Sequence, residues 1–211
     1  MNNNDHRVEA VLFDFDGVLV DSEPIHFAAW QDALRPLGVE ISAEDFLQRF
    51  IGLEDREAVR IVAEAQTPPR PIEELWPAFD AKQRIFAERI QNMPQVPEAT
   101  RVVMGELKNA GYKIAVVTSS SRMEVEPILQ NNAIHAYLDA CVFADDVSRR
   151  KPHPEPYLKA KVLLQVQHAL VMEDSNAGQT SARAAGCEVL VVTDVGQVAG
   201  QIRQRLQLGD R

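Results

Sequence analysis

Two aspartates one residue apart, Asp14 and Asp16, follow the apolar run Ala10-Val11-Leu12-Phe13 and precede Gly17. The run reads as a buried strand. Carboxylates just past the carboxyl end of such a strand stand where open α/β sheets place their active sites. Two acids this close repel unless a cation lies between them. Taken alone, the stretch also reads as a strand followed by an acidic Asp-Gly turn.

Three later segments repeat the arrangement. Ile114-Ala115-Val116-Val117 ends in Thr118 and Ser119. The short apolar segment Cys141-Val142-Phe143 leads to a loop carrying Lys151. Ala169-Leu170-Val171-Met172 ends in Glu173 and Asp174. Each group has an ordinary reading by itself. Thr118 is a β-branched residue at a strand end. Lys151 sits in a basic turn. Glu173-Asp174-Ser175 is an acidic helix start with its cap. Their order and placement, each after its own buried strand, favour a single crevice.

The chemistry of that set is coherent. Asp14 could attack an electrophile and form an acyl intermediate. Asp16 could pass a proton to a leaving group and later take one from water. Asp14 and Asp174 could hold a hard divalent cation such as Mg²⁺ through oxygen. Thr118 and backbone N–H groups near Ser119 could bind phosphoryl oxygens. Lys151 could balance charge on the nucleophile and the phosphate.

The elements that position these groups fall into two grammars. From about Gly111 onward, strands alternate with helices. One helix is expected around Glu124–Leu129, another at Glu155–Leu164, and a last strand at Val189–Val192. This pattern predicts a parallel sheet, an α/β Rossmann-like core. Between Glu23 and Gln95 only helical spacing occurs. Phe27, Trp30, Leu34 and Leu37 predict a first helix, capped by Asp21 or Ser22 and stopped by Gly38. Ser42 and Asp45 resemble a capping box, with Phe46, Leu47, Phe50, Ile51 and then Gly52 behind it. A third helix is expected from about Asp55, and a longer one from Ile72 to Ile90 closed by Met93–Pro97. Residues 1–22 and 96–211 therefore read as the core, and residues 23–95 as an inserted helical cap placed to act as a lid.

The 211 residues, 45% of them apolar, suffice for one core domain with a smaller insert. A net charge of −9 argues against nucleic acid or an anionic membrane as partner. Cys141 and Cys187 read as reduced thiols of a cytoplasmic protein. The polar start MNNNDHR shows no signal peptide, and no stretch is long and apolar enough to span a membrane.

The stretches DFDGVLVDS, VVTSSSR, RRKPHPEPY and MEDSNAG together resemble the haloacid dehalogenase superfamily, in its phosphatase and mutase branch. The resemblance implies a Rossmann-like core with a helical cap after the first motif. It implies Asp14 as nucleophile and Asp16 as acid/base, the Asp16 backbone carbonyl also meeting Mg²⁺. It implies Thr118 as phosphate-binding hydroxyl, Lys151 as the motif lysine, Asp174 as a direct metal ligand and Glu173 as a nearby, water-mediated one. An Asp at position 16 disfavours carbon–halogen chemistry, because the dehalogenases of the superfamily lack it.

His26 and Trp30, in IHFAAW, are similar to the β-phosphoglucomutase pattern, and Lys82 resembles a substrate-facing lysine of that subgroup. Without the resemblance, His26 reads as a packed or surface histidine, Trp30 as core and Lys82 as a solvated face. Where the mutase cap carries an arginine for a second phosphate, this chain has Asp55, with Arg56 one position on and about 100° around the helix. The expected activity is therefore a Mg²⁺-dependent phosphomonoester hydrolase acting on a small phosphorylated metabolite, a sugar phosphate, as a cytoplasmic monomer. β-Phosphoglucomutase is the alternative, and a non-catalytic phosphate- or metal-binding module the third reading.

Overall fold

The computed structural model describes residues 7–50, 55–90 and 96–209. Ile51, Gly52 and residues 93–95, expected to close the long helix, lie outside the described residues. The chain divides into two compact units, Met1–Asp21 with Pro94–Arg211, and Ser22–Met93.

The first unit is a five-stranded parallel sheet, β1 (Ala10–Phe13), β2 (Lys113–Val117), β3 (Ala140–Val142), β4 (Ala169–Glu173) and β5 (Glu188–Val191). The strand order is β3-β2-β1-β4-β5. β1 is central, and both β1 and its neighbour β4 are wholly buried. That is why both read as unbroken apolar runs rather than alternating ones. Ala10, Leu12, Ala115, Val117, Ala169 and Val171 pack from one face onto helices α7 (Glu155–Leu164) and α8 (Asn176–Ala184) through Tyr157, Ala160, Leu164 and Ala182. The alternate residues Val11, Phe13, Ile114, Val116, Leu170 and Met172 are equally buried on the other face. Helix α5 (Glu98–Asn109) packs on β2 and on a C-terminal helix, α9 (Val198–Leu206). Val102, Val103 and Leu107 predict α5, whereas no apolar period predicts α9. Helix α6 (Arg122–Asn131) is longer at both ends than expected; at its start the N–H and hydroxyl of Ser121 both donate to Glu124 Oε2. The last strand starts one residue earlier than expected, at Glu188, and Val192 follows it, donating its N–H to the Glu173 carbonyl at 2.8 Å.

The regular elements among the second unit's described residues are all helices: α1 (Glu23–Leu34), α2 (Ala43–Arg49), α3 (Asp55–Ala65) and α4 (Ile72–Ile90). α1 and α3 both pack on α4. Trp30, Leu34, Phe46, Val59, Val62 and Leu75 form its core. Two expectations need correction. α1 stops at Leu34, and Leu37 lies in a 3₁₀ turn ended by Gly38 at φ 69°. Pro36 explains this, since it has no N–H to continue the α-helical ladder. Ser22 holds the N-cap position, but its side chain makes no capping bond. Ser42 does cap, accepting from the Asp45 N–H at 3.0 Å.

Candidate active site

Strand register brings the chemistry together. Phe13 is level with Val116 on one side and Met172 on the other. The next residue of each strand is therefore also level: Asp14, Val117 and Glu173. Asp14 donates its N–H to the Met172 carbonyl at 3.0 Å, which prolongs the ladder by one step and locks the nucleophile candidate at the sheet's carboxyl edge. Beyond it the chain turns tightly. Gly17 donates to the Val20 carbonyl at 2.8 Å, while Phe15, Val18, Leu19 and Val20 are fully buried. Gly17 has φ +72°, and a Cβ there would stand 2.2 Å from Asp174 Oδ2. Only glycine permits both this left-handed backbone and the approach of that carboxylate.

Lys151 is the hub. Its ammonium donates to Asp14 Oδ1 at 2.8 Å, to the Val117 carbonyl at 2.9 Å and to Glu173 Oε1 at 2.6 Å. An ammonium has three N–H donors, so all three are spent. Glu173 is equally committed. Its Oε1 accepts from Lys151 and from the Tyr157 hydroxyl at 2.9 Å, and its Oε2 accepts from the Ser175 N–H and hydroxyl. Four donors fill a carboxylate's acceptor sites. Gly178 makes room for this: a Cβ there would lie 1.6 Å from Glu173 Oε1. Thr118 is buried, and its Oγ1 accepts from the Ser120 N–H at 3.0 Å. Ser119 is exposed beside it. Asp16 Oδ2 accepts from the Ser120 hydroxyl at 2.8 Å.

The charges are unbalanced. Burial, with the charges of Glu173 and Asp174, pushes the Asp14 carboxyl well above the usual carboxylate range, although Lys151 opposes the shift. Burial works against the Lys151 ammonium, but Asp14 and Glu173 outweigh it and hold its pKa above the ordinary value. Asp174 is raised to about 6 by burial and by the Glu173 charge. Burial and the same two acids push the Tyr157 phenol well up, so it stays a donor.

Oxygens of Asp14, Glu173 and Asp174 lie within 4.8 Å of one another. Three acids face one ammonium, and all the donors are hard carboxylate oxygens. That set suits a divalent cation with oxygen preference, and such a cation would offset the repulsion that raises Asp14 and Asp174. Since Glu173 is saturated, Asp14 and Asp174 are the carboxylates with capacity for direct ligation.

The remaining candidates lie in the helical unit, where each has a packing partner. Lys82 is fully buried, not solvated, and bonds Asp55 at 2.6 Å. Gln83 also donates to Asp55. The Lys82 ammonium lies 4.7 Å from the Phe86 ring centroid and 5.8 Å from that of Trp30. His26 stacks on Phe86 at 4.0 Å, and burial with the Lys82 charge lowers its pKa to about 3. Arg56 lies over the rings of Trp76 and Phe79, at 5.8 and 5.9 Å.

Three contributors were missed in the sequence. Ser120 was one serine among three with nothing to distinguish it. Tyr157 and Gly178 were inside quoted motifs, but their contacts with Glu173 depend on how α7 and α8 meet β4, which no local pattern reveals.

A parallel sheet with an acid pair, a hydroxyl, a lysine and a second acid pair at its carboxyl edge defines a hydrolase class. The chain belongs to the haloacid dehalogenase-like hydrolase family, whose pattern matches residues 11–192. Among curated proteins it is similar to the phosphorylated carbohydrates phosphatase of Thermotoga maritima, 35% identical over 184 residues, which cover 86% of this chain and 83% of the relative. Among solved structures it is similar to CbbY from Rhodobacter sphaeroides in complex with phosphate, with a TM-score of 0.70 and 26% identity over 88% of this chain and 87% of that one. A β-phosphoglucomutase from Clostridium difficile has the same fold, with a TM-score of 0.73 at 21% identity, covering 95% of this chain and 98% of that one. No helix among the described residues is long and apolar enough to cross a membrane.

Proposed function

We infer that the protein is a Mg²⁺-dependent phosphomonoester hydrolase acting on a small phosphorylated metabolite, a sugar phosphate, in the cytoplasm. The observation that carries this reading is the Lys151 ammonium bridging Asp14 and Glu173 at 2.8 and 2.6 Å beside Asp174. A structural ion pair would be satisfied by one acid; here a surplus of carboxylate is concentrated at one sheet edge. The similarity to a phosphatase of phosphorylated carbohydrates supports the substrate class.

In this mechanism Asp14 attacks phosphorus through a carboxylate oxygen, and the P–O bond to the alcohol breaks. Asp16 gives its proton to the departing oxygen. Water then attacks the aspartyl-phosphate, Asp16 takes the water proton, and the bond to Asp14 breaks to release inorganic phosphate. Lys151 acts through its charge, because its N–H donors are already committed. It tempers the nucleophile in the resting state and the phosphoryl charge in the transition state. Thr118 and the backbone N–H groups around Ser119 receive phosphoryl oxygens. Asp14 and Asp174 would hold the cation, with the Asp16 carbonyl joining them and Glu173 standing behind Lys151. Bound there, Mg²⁺ supplies charge neutralisation and polarisation of the phosphoryl group.

The helical unit is read as serving selectivity, with Arg56 as its exposed candidate contact, while the other candidates, His26 and Lys82, are packed against Phe86 and Asp55. A mutase must hold phosphates at both ends of a sugar. The Asp55 position presents a carboxylate already paired with Lys82, which supports hydrolysis over isomerisation. The test is a phosphate-release screen over sugar, polyol and nucleotide monophosphates, with Mg²⁺ and with chelator. It includes β-glucose 1-phosphate with and without sugar bisphosphate. Mg²⁺-dependent release is expected. Isomerisation that outruns release would replace this reading with the mutase, and phosphate esters that bind without turnover would replace it with a binding module.

A further inference from the structure

Asp16 stands in the tight turn that follows β1. Its neighbours Phe15, Val18, Leu19 and Val20 are fully buried, whereas Asp16 is half-buried. The terminal torsion of an aspartate is broad and two-fold, so backbone placement alone does not say which oxygen faces the leaving group. Ser120 supplies a constraint. Its hydroxyl donates to Asp16 Oδ2 at 2.8 Å. Ser120 is itself pinned: its N–H donates to Thr118 Oγ1 at 3.0 Å, and its carbonyl accepts from the Ala144 N–H at 3.0 Å. Thr118 in turn donates its N–H to the Val142 carbonyl at 2.9 Å. The ends of β2 and β3 thus hold Ser120 still, and Ser120 reaches across to the turn after β1.

We propose that Ser120 is a positioning residue for the general acid/base, orienting Asp16 through the Oγ–Oδ2 hydrogen bond. The inference rests on the phosphatase reading above. A hydroxyl donating to Oδ2 favours that oxygen as the acceptor of the carboxyl group and so favours Oδ1 as the carrier of the transferable proton. In the first step that proton moves from Oδ1 to the alcohol oxygen as the P–O bond breaks and its electron pair goes to that oxygen. Ser120 keeps its own proton throughout. The same bond links Asp16 to Thr118 through one residue, so the proton donor and the phosphate-receiving hydroxyl share a frame.

This role makes a selective demand. Proton donation matters for an aliphatic alcohol, which leaves poorly as an alkoxide. It matters little for p-nitrophenol, which leaves as the phenolate. The experiment compares kcat/KM, which reports steps through release of the alcohol, for wild type and Ser120→Ala. The substrates are p-nitrophenyl phosphate and whichever of glucose 6-phosphate, glycerol 3-phosphate and phosphoglycolate is hydrolysed fastest. A loss of about ten- to a hundredfold is expected on the aliphatic ester, since general acid catalysis and its alignment carry factors of this size. The loss on p-nitrophenyl phosphate is expected to stay within about threefold, because that step draws little on the acid. In an Asp16→Asn background, Ser120→Ala is expected to add no further loss on the aliphatic ester. Should Ser120→Ala fail to fold, Ser120→Cys, similar in shape and a weak donor, is expected to show the same selective loss. Equal losses on both esters, a full additional loss in the Asp16→Asn background, or no loss on either ester would overturn the positioning role. A wild-type chain that releases phosphate from no ester would instead overturn the phosphatase reading, and this role with it.

Discussion

Gly178→Ala offers a test in which local and tertiary rules demand opposite signs. Gly178 lies in the first turn of α8, and its N–H donates to the capping Ser175 hydroxyl at 3.0 Å. By helix propensity alone, alanine in a helix stabilises by about 1 kcal/mol over glycine. Here the added Cβ would stand 1.6 Å from Glu173 Oε1, 2.0 Å from Cδ and 2.4 Å from Oε2. No rotation of the alanine relieves that overlap, so Glu173 must leave. Glu173 is fully buried and holds Lys151, Tyr157 and Ser175. Breaking a buried ion pair costs about 3–5 kcal/mol. After the propensity gain, a net loss of about 2–4 kcal/mol remains, which for a chain of this size lowers the melting midpoint by about 5–15 °C. The assay is thermal unfolding of wild type, Gly178→Ala, Glu173→Ala and the double variant. In the Glu173→Ala background the obstacle is gone, and Gly178→Ala is expected to be neutral or slightly stabilising. A Gly178→Ala chain as stable as wild type, or a loss that persists without Glu173, would refute the reasoning.

Two further outcomes concern the helical unit. Asp55→Ala leaves the buried Lys82 ammonium without its carboxylate and is expected to destabilise by about 3 kcal/mol in urea unfolding; adding Lys82→Met should restore most of it, and an unchanged midpoint for Asp55→Ala would contradict the pairing. His26, with a folded pKa of about 3 against an ordinary 6.5, stays neutral while the unfolded chain takes up a proton. Its contribution to stability is therefore full above about pH 6.5 and falls by about 1.4 kcal/mol per pH unit below it, or about 2 kcal/mol between pH 7 and pH 5. His26→Phe, which keeps a ring against Phe86, should flatten that decline, and an identical pH dependence in both proteins would show that His26 is not its source.

How much of this was legible in the sequence depends on how local the cause is. β1 and β4 are buried on both faces, so their apolar runs announced them, and the carboxylates that follow gave the site's position. Lys151 was legible as a motif residue, but not as a donor whose three bonds are all committed. That follows from the register of β1, β2 and β4, which no single segment encodes. Lys82 reads as substrate-facing by resemblance and as a solvated face without it, because a lysine inside a helical pattern normally is solvated. Its burial needs Asp55 on another helix and two aromatic rings around it. α9 escaped notice because its apolar residues are few, and its place is set by α5 rather than by its own periodicity. Ser120 carries no sequence signal at all beyond following Thr118-Ser119.

The claim on which everything rests is that Asp14 is the nucleophile. The most direct measurement is mass spectrometry of the Asp16→Asn chain after mixing with p-nitrophenyl phosphate and Mg²⁺. This ester needs no proton from residue 16 to load the enzyme, while the missing base slows hydrolysis of the intermediate. One phosphoryl group is expected on the peptide containing Asp14, and none when Asp14 is also changed to Asn. A phosphoryl group on another residue, or an Asp14→Asn enzyme that keeps substantial Mg²⁺-dependent turnover, would contradict the mechanism.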